Sequence, residues 1–265
     1  MGRFVLTVML MGLPAIVHAA EPAALVRARA LYNSGSFDAA IDAAAVARRD
    51  PQAEDAASLV LARAYLERFR VGKMPEDLTA ARAALASVRA ALLAPRDQLD
   101  LLVGFGQTLF LSEAYGPAAD IFDSAIGRAA VLSAIDRSKL LDWWATALDR
   151  QAQARPSDQR PPFFTRIVDR MQEELRSDPG SANANYWLVV GARGAGDLDR
   201  AWDAAIAAWV RATVGTEANE LRTQLDRLVS TALIPERARL RPVREQADAA
   251  AALRAEWEQV KAAWK

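Results

Sequence analysis

The stretch GSFDAAIDAAAVA, residues 35–47, returns near the other end of the chain as GDLDRAWDAAIAAW, residues 196–209. Each copy has a glycine, a small or acidic residue, an aromatic or leucine, an aspartate, and then alanines spaced for one helix face. A single short helical unit cannot bury its apolar face alone, so a recurring signature of this kind predicts stacked units sharing a continuous core. The first copy, read outward, is Ala28, Leu31, Tyr32, Gly35, Phe37, Ala40, Ala44, Ala47 and Asp50-Pro51. Small residues at Ala28 and Ala40 let two antiparallel helices touch. Gly35 supplies the turn, Phe37 staples the second helix and Pro51 ends it.

The pattern recurs along the chain. A second unit has Ala62 and Tyr65, then Ala81, Leu85 and Val88. The third has Leu102, Gly106 and Leu109, then Tyr115, Ala118, Phe122 and Ala125. In the fourth, Leu141, Trp144, Ala145 and Leu148 precede Ile167, Met171 and Pro179. The fifth has Leu188 and Ala192, then Gly196, Leu198, Ala201, Ala205 and Ala208. The small first-helix positions Ala28, Ala62, Gly106 and Ala145 stand 34, 44 and 39 residues apart. Insertions in loops absorb the excess. This pattern resembles the tetratricopeptide repeat (TPR), a helix-turn-helix unit of about 34 residues. The GKMPEDLTAA of the second unit also resembles the Sel1-like relative of that repeat.

The resemblance implies a right-handed α-solenoid of about five stacked helical hairpins. Composition agrees with its helical character: 52% of residues are hydrophobic, many of them alanine, the best helix former. No alternating β-branched run bounded by turns suggests a sheet, so the fold class is all-α. Past Thr216 the template stops fitting. Leu221, Leu225, Leu228, Val229 and Ala232 mark one amphipathic helix, Pro235 and Pro242 are expected to break the chain, and Leu253, Trp257, Val260 and Trp264 mark a last helix. The expected organisation is a signal peptide over 1–19, a repeat domain over 20–215 and C-terminal capping helices over 216–265.

The signal reading rests on Arg3, the apolar run 4–17 and small residues at Val17-His18-Ala19, with cleavage expected after Ala19. It implies a periplasmic protein, or one secreted beyond the cell, with no integral membrane segment once the signal is removed. His18 is the sole histidine and there is no cysteine. The mature chain then lacks a Ser-His-Asp triad, a Cys nucleophile and an ordinary His/Cys zinc site. No cofactor or metal is expected. With 33 basic and 33 acidic residues, the charge balance gives no sign of nucleic-acid binding. Adjacent Glu173 and Glu174 diverge on a helix and cannot act as a facing acid pair.

Binding in TPR-like proteins usually occupies the concave surface lined by first helices. The resemblance, carried across unit by unit, places Arg29, Tyr32, Arg63, Gln107, Phe110, Thr146 and Asp149 near it. The lysine-asparagine clamp of some members is not reproduced; Arg29 and Arg63 are alternative receptors for a carboxylate. Trp202, Ala205, Ile206 and Trp209 share one helical stripe, read first as packing against a cap and second as an aromatic binding patch. Core packing is also the first reading for Trp143 and Trp144, and a plain connector for the proline-rich 151–162. PERARLRPVR, residues 235–244, is read as a charged surface hinge, with phosphate or anionic headgroups as the alternative.

The resemblance implies a non-enzymatic scaffold or adaptor for a protein or peptide partner in the cell envelope. A second reading is an accessory component of an envelope transport system binding a small apolar ligand or lipid, similar to the TPR component associated with TRAP transporters. A carboxylate-based cell-wall hydrolase is a minor third.

Overall fold

The computed structural model describes residues 21–128 and 133–264. The expected signal peptide, 1–19, lies outside the described residues. Among those described there is no strand, and no helix is long and apolar enough to cross a membrane. The elements run α1 (Ala23–Asn33), α2 (Phe37–Ala47), α3 (Glu54–Gly72), α4 (Pro75–Ala86), α5 (Pro95–Leu111), α6 (Tyr115–Ile126), α7 (Ala134–Gln153), α8 (Pro161–Ser177), α9 (Ala182–Gly194) and α10 (Leu198–Arg211). Then come α11 (Ala218–Leu228), α12 (Ile234–Ala238) and α13 (Gln246–Ala263).

The glycine turn shared by residues 35–47 and 196–209 has one backbone geometry. Gly35 and Gly196 have φ of 76° and 85°, in the left-handed region. The N–H of Gly35 donates to the Tyr32 carbonyl and that of Ser36 to the Leu31 carbonyl, each at 3.0 Å. Gly196 and Asp197 repeat this with Arg193 and Ala192. It is a Schellman closure, which satisfies the last helix carbonyls and reverses the chain. Glu113 does the same without being glycine: at φ 61° its N–H donates to Phe110, and the Ala114 N–H donates to Leu109. Hydrogen bonding thus reveals a third copy where the glycine signal is missing.

Each helix up to α4 packs on the next, as do α5 with α6, α6 with α7, α8 with α9 and α9 with α10. The odd-numbered helices also touch in series: α1 with α3, α3 with α5, α5 with α7, α7 with α9 and α9 with α11. Alanine makes the close approach possible, and Ala28, Ala40, Ala62, Ala81, Ala118, Ala145 and Ala201 are all fully buried. Where a unit departs from alanine, volumes compensate. A Cβ on Gly106 would lie 2.5 Å from the Phe122 ring, so the large ring occupies the space that the glycine leaves. The core is spread along the chain: one cluster joins α1 to α5, and another runs from α5 to α13.

The C-terminal region departs from the sequence expectation at Pro235 and, less, at Trp264. Pro235 does not break the chain. Helix α11 continues through a π turn, Val229–Leu233, directly into α12, with Pro235 in its first turn. The Ile234 N–H reaches back five residues to the Val229 carbonyl. This wider turn shifts the hydrogen-bond ladder by one residue where proline cannot donate, so the ring is accommodated at a new helix start. Pro242, at φ −51° and ψ 143°, does interrupt the helix, as expected.

The tryptophan stripe packs against α13. Trp202 and Trp209 are buried, and Trp257 of α13 is 1% exposed. The Trp257 ring centroid lies 6.2 Å from that of Trp202 and 5.4 Å from that of Trp209. Each indole N–H has an acceptor: Glu256 for Trp202, the Trp264 carbonyl for Trp209 and Asp226 for Trp257. Arg237 and Arg222 lie over the Trp202 and Trp209 rings. Packing, the first reading of these residues, accounts for them. Trp264 departs from the expected final stripe and is half exposed.

Candidate functional site: the inner groove

A groove of about 600 Å3 is lined almost entirely by α1, α3, α5, α7 and α9. Its lining follows helical spacing on each element: Arg63, Glu67 and Arg70 on α3, Asp100, Val103 and Gln107 on α5, and Asp136, Lys139 and Trp143 on α7. Residues three and four apart share a helix face, so each helix presents one stripe. Tyr32 and Asn33 of α1 and Asn183 of α9 also line it.

The groove's charges are paired both across and within helices. Arg63 donates to Asp100 at 2.7 Å while its guanidinium lies 4.6 Å from the Tyr32 ring centroid. Arg96 donates to Asp136 at 2.9 Å and stands 3.5 Å from Asp100. Arg70 bonds Glu67 at 2.8 Å and lies over the Trp143 ring. Burial pushes the Asp100 carboxyl above its ordinary range, opposed by Arg63 and Arg96. Burial also raises the Tyr32 hydroxyl, against the opposing effect of Arg63. Burial raises Asp136 too, but hydrogen bonds from Arg96 and Ser133 outweigh it and leave this carboxyl below its ordinary range.

The expected binding residues divide between this groove and its surroundings. Tyr32, Arg63 and Gln107 line it. Phe110 stands edge-on to Trp143 at 4.8 Å and to Tyr115 at 5.3 Å, supporting the wall. Arg29 meets Asp97 through two hydrogen bonds and pairs with Glu21. Both arginines considered as carboxylate receptors are therefore already engaged by carboxylates of this chain. Thr146 and Asp149 are half-buried farther along α7, outside the groove's lining. Asp149 accepts from Gln153 at 2.6 Å, and burial raises its carboxyl against that bond and the nearby Arg150 and Arg193.

Sequence reasoning missed Arg70, Arg96, Asp100, Asp136 and Lys139. A signal for some was present: Arg70 lies seven residues after Arg63, and Asp100 seven before Gln107, almost two full helical turns. Among the described residues, no group of three or more His, Cys, Asp or Glu side chains could hold a metal ion. The buried Glu174 is held by two hydrogen bonds from Arg137, one of 2.9 Å to its Oε2. Compared with known proteins, the chain matches no family model, no curated relative and no solved structure.

Proposed function

We propose that this chain is a TPR-like α-solenoid acting as a non-enzymatic adaptor, with an extended segment of a protein partner held in the inner groove. The observation that carries the reading is the stripe of groups along α1, α3, α5 and α7: paired guanidiniums and carboxylates interleaved with Tyr32, Val103, Gln107 and Trp143. Such a lining offers hydrogen bonds to a peptide backbone and flat faces to its side chains. Its Arg–carboxylate pairs hold the groove's shape before binding, which lowers the ordering cost of association. The repeated Schellman turns and the contacts between successive odd-numbered helices support the solenoid. The proposed setting is the periplasm, on the basis of the N-terminal sequence.

The carrier reading is weaker because charged side chains make up much of the lining, whereas small-molecule pockets are predominantly apolar. Site-specific photo-crosslinking tests the proposal. A photoreactive residue at Gln107 is expected to capture one partner of fixed mass, and the same residue at the exposed Glu173 of α8 is not. Arg63→Gln should then weaken the purified complex, with circular dichroism checking that the variant remains folded. Native mass spectrometry showing a co-purified small molecule in the groove, with no protein partner, would overturn the adaptor reading.

A further inference from the structure

From Arg239 to Glu245, between α12 and α13, seven consecutive residues are exposed. Leu240 is 69% exposed and Val243 84%. Around them stand Arg239, Arg241 and Arg244. Among the described residues Arg239 and Arg241 have no carboxylate partner, and Arg244 reaches only its neighbour Glu245, at 3.3 Å. Two acids near its base are committed elsewhere: Asp199 to Arg237 and Glu236 to Arg193. The segment is nevertheless ordered by its backbone. Arg239, Leu240, Arg241 and Glu245 each donate an N–H to a carbonyl three or four residues back. Its base is anchored by buried Ala238 and by Arg237, which lies over Trp202.

Here two exposed aliphatic side chains stand among guanidiniums, a combination that suits a surface offering both acyl chains and phosphates. The segment lies outside the lining of the groove, so a contact here does not draw on the groove's shape complementarity. A fluid bilayer interface needs no such shape complementarity. It accepts small apolar insertions while its phosphates meet arginine. We propose that the 239–244 segment is a peripheral contact for anionic phospholipid surfaces, with Leu240 and Val243 entering the interface and the three arginines lying on lipid phosphates. Each arginine contributes about fivefold to partitioning and the three together about 100-fold. The contact is reversible, since even a single acyl chain gives only marginal attachment. The inference is independent of what occupies the groove.

Co-sedimentation of the full chain with vesicles tests it. The protein is expected to sediment with phosphatidylglycerol vesicles and not with phosphatidylcholine vesicles, and to be released by about 0.5 M salt. The combined R239Q, R241Q and R244Q variant should bind about 100-fold more weakly. The L240S and V243S pair, with charge unchanged, should bind at least about tenfold more weakly. All five positions are exposed, and circular dichroism checks that each variant remains folded. Arg63→Gln should leave vesicle binding unaltered, which separates this test from that of the groove. Failure of the native chain to sediment overturns the proposal, as does equal binding to both lipids. Competition by inorganic phosphate or glycerophosphate would assign a free-phosphate site instead. Binding to polyglutamate as tight as to vesicles would assign an acidic protein surface.

Discussion

Removing the Trp257 ring should release α13 from the rest of the molecule. Helix α13 spans 18 residues, and Trp257 is its one buried residue. An indole of this kind buries about 200 Å2, worth about 5 kcal/mol at 25 cal/mol per Å2. Measured Trp→Ala costs of about 3–5 kcal/mol agree with that scale. The variant also loses the 2.8 Å bond from the indole N–H to Asp226, although Asp226 retains Lys261 at 2.9 Å. A loss of about 4 kcal/mol corresponds to roughly a thousandfold rise in the opening equilibrium. An undocked helix of this length is only marginally stable in water. Hydrogen exchange followed by mass spectrometry should therefore show Trp257→Ala losing about a thousandfold protection across α13, with exposure spreading to Trp202 and Trp209. Helices α1 to α4 belong to a separate core cluster and should keep their protection at temperatures well below melting. Trp257→Phe, which keeps a ring but removes the N–H donor, should lose only about 1–2 kcal/mol. Native protection of α13 in the alanine variant would refute the reasoning. Equal loss in α1 and α13 would refute it too, by showing that the chain unfolds as one unit.

The turn geometry makes a paired prediction. Nothing lies within 4 Å of a Cβ built on Gly196, so Gly196→Ala should cost only its left-handed backbone, about 1 kcal/mol after the unfolded-state gain. Glu113→Gly, at the equivalent turn, should stabilise by about 0.5 kcal/mol; urea midpoints check both. Gly106→Ala should destabilise by about 1–3 kcal/mol, because the added methyl meets the Phe122 ring at 2.5 Å, and thermal unfolding reads the loss. Acid should weaken the fold through Asp55: burial raises its carboxyl, but hydrogen bonds from the Arg89 side chain and backbone outweigh this and hold it below the ordinary range. The folded value thus lies under the unfolded one of roughly 3.9. The pair stabilises above about pH 4, and that contribution is lost as pH falls through the folded value. The stability gap between the native chain and Asp55→Asn should therefore narrow between about pH 5 and pH 2 in urea titrations.

Helical hairpins and their turns were legible in the residues because their causes are local. Alanine periodicity marks a helix face within a few turns, and glycine supplies the left-handed residue at Gly35 and Gly196. Glu113 escaped that reading because a left-handed glutamate carries no sequence mark, and so did the π turn before Pro235. The groove was half legible: Tyr32, Arg63 and Gln107 were placed on it, while Asp100, Arg96 and Asp136 were not. Those acids and arginines acquire their roles only through partners that are distant in sequence. Arg63 meets Asp100, 37 residues on; Arg96 meets Asp136, 40 residues on; and Arg29 reaches Asp97, 68 residues on. Helix periodicity states which residues share a face, but not which faces meet. That is decided by how closely successive helices approach and in what register, which depends on volume matches such as Phe122 against Gly106. The same long-range packing encloses Trp202 and Trp209 beneath α13 and leaves Leu240 and Val243 uncovered.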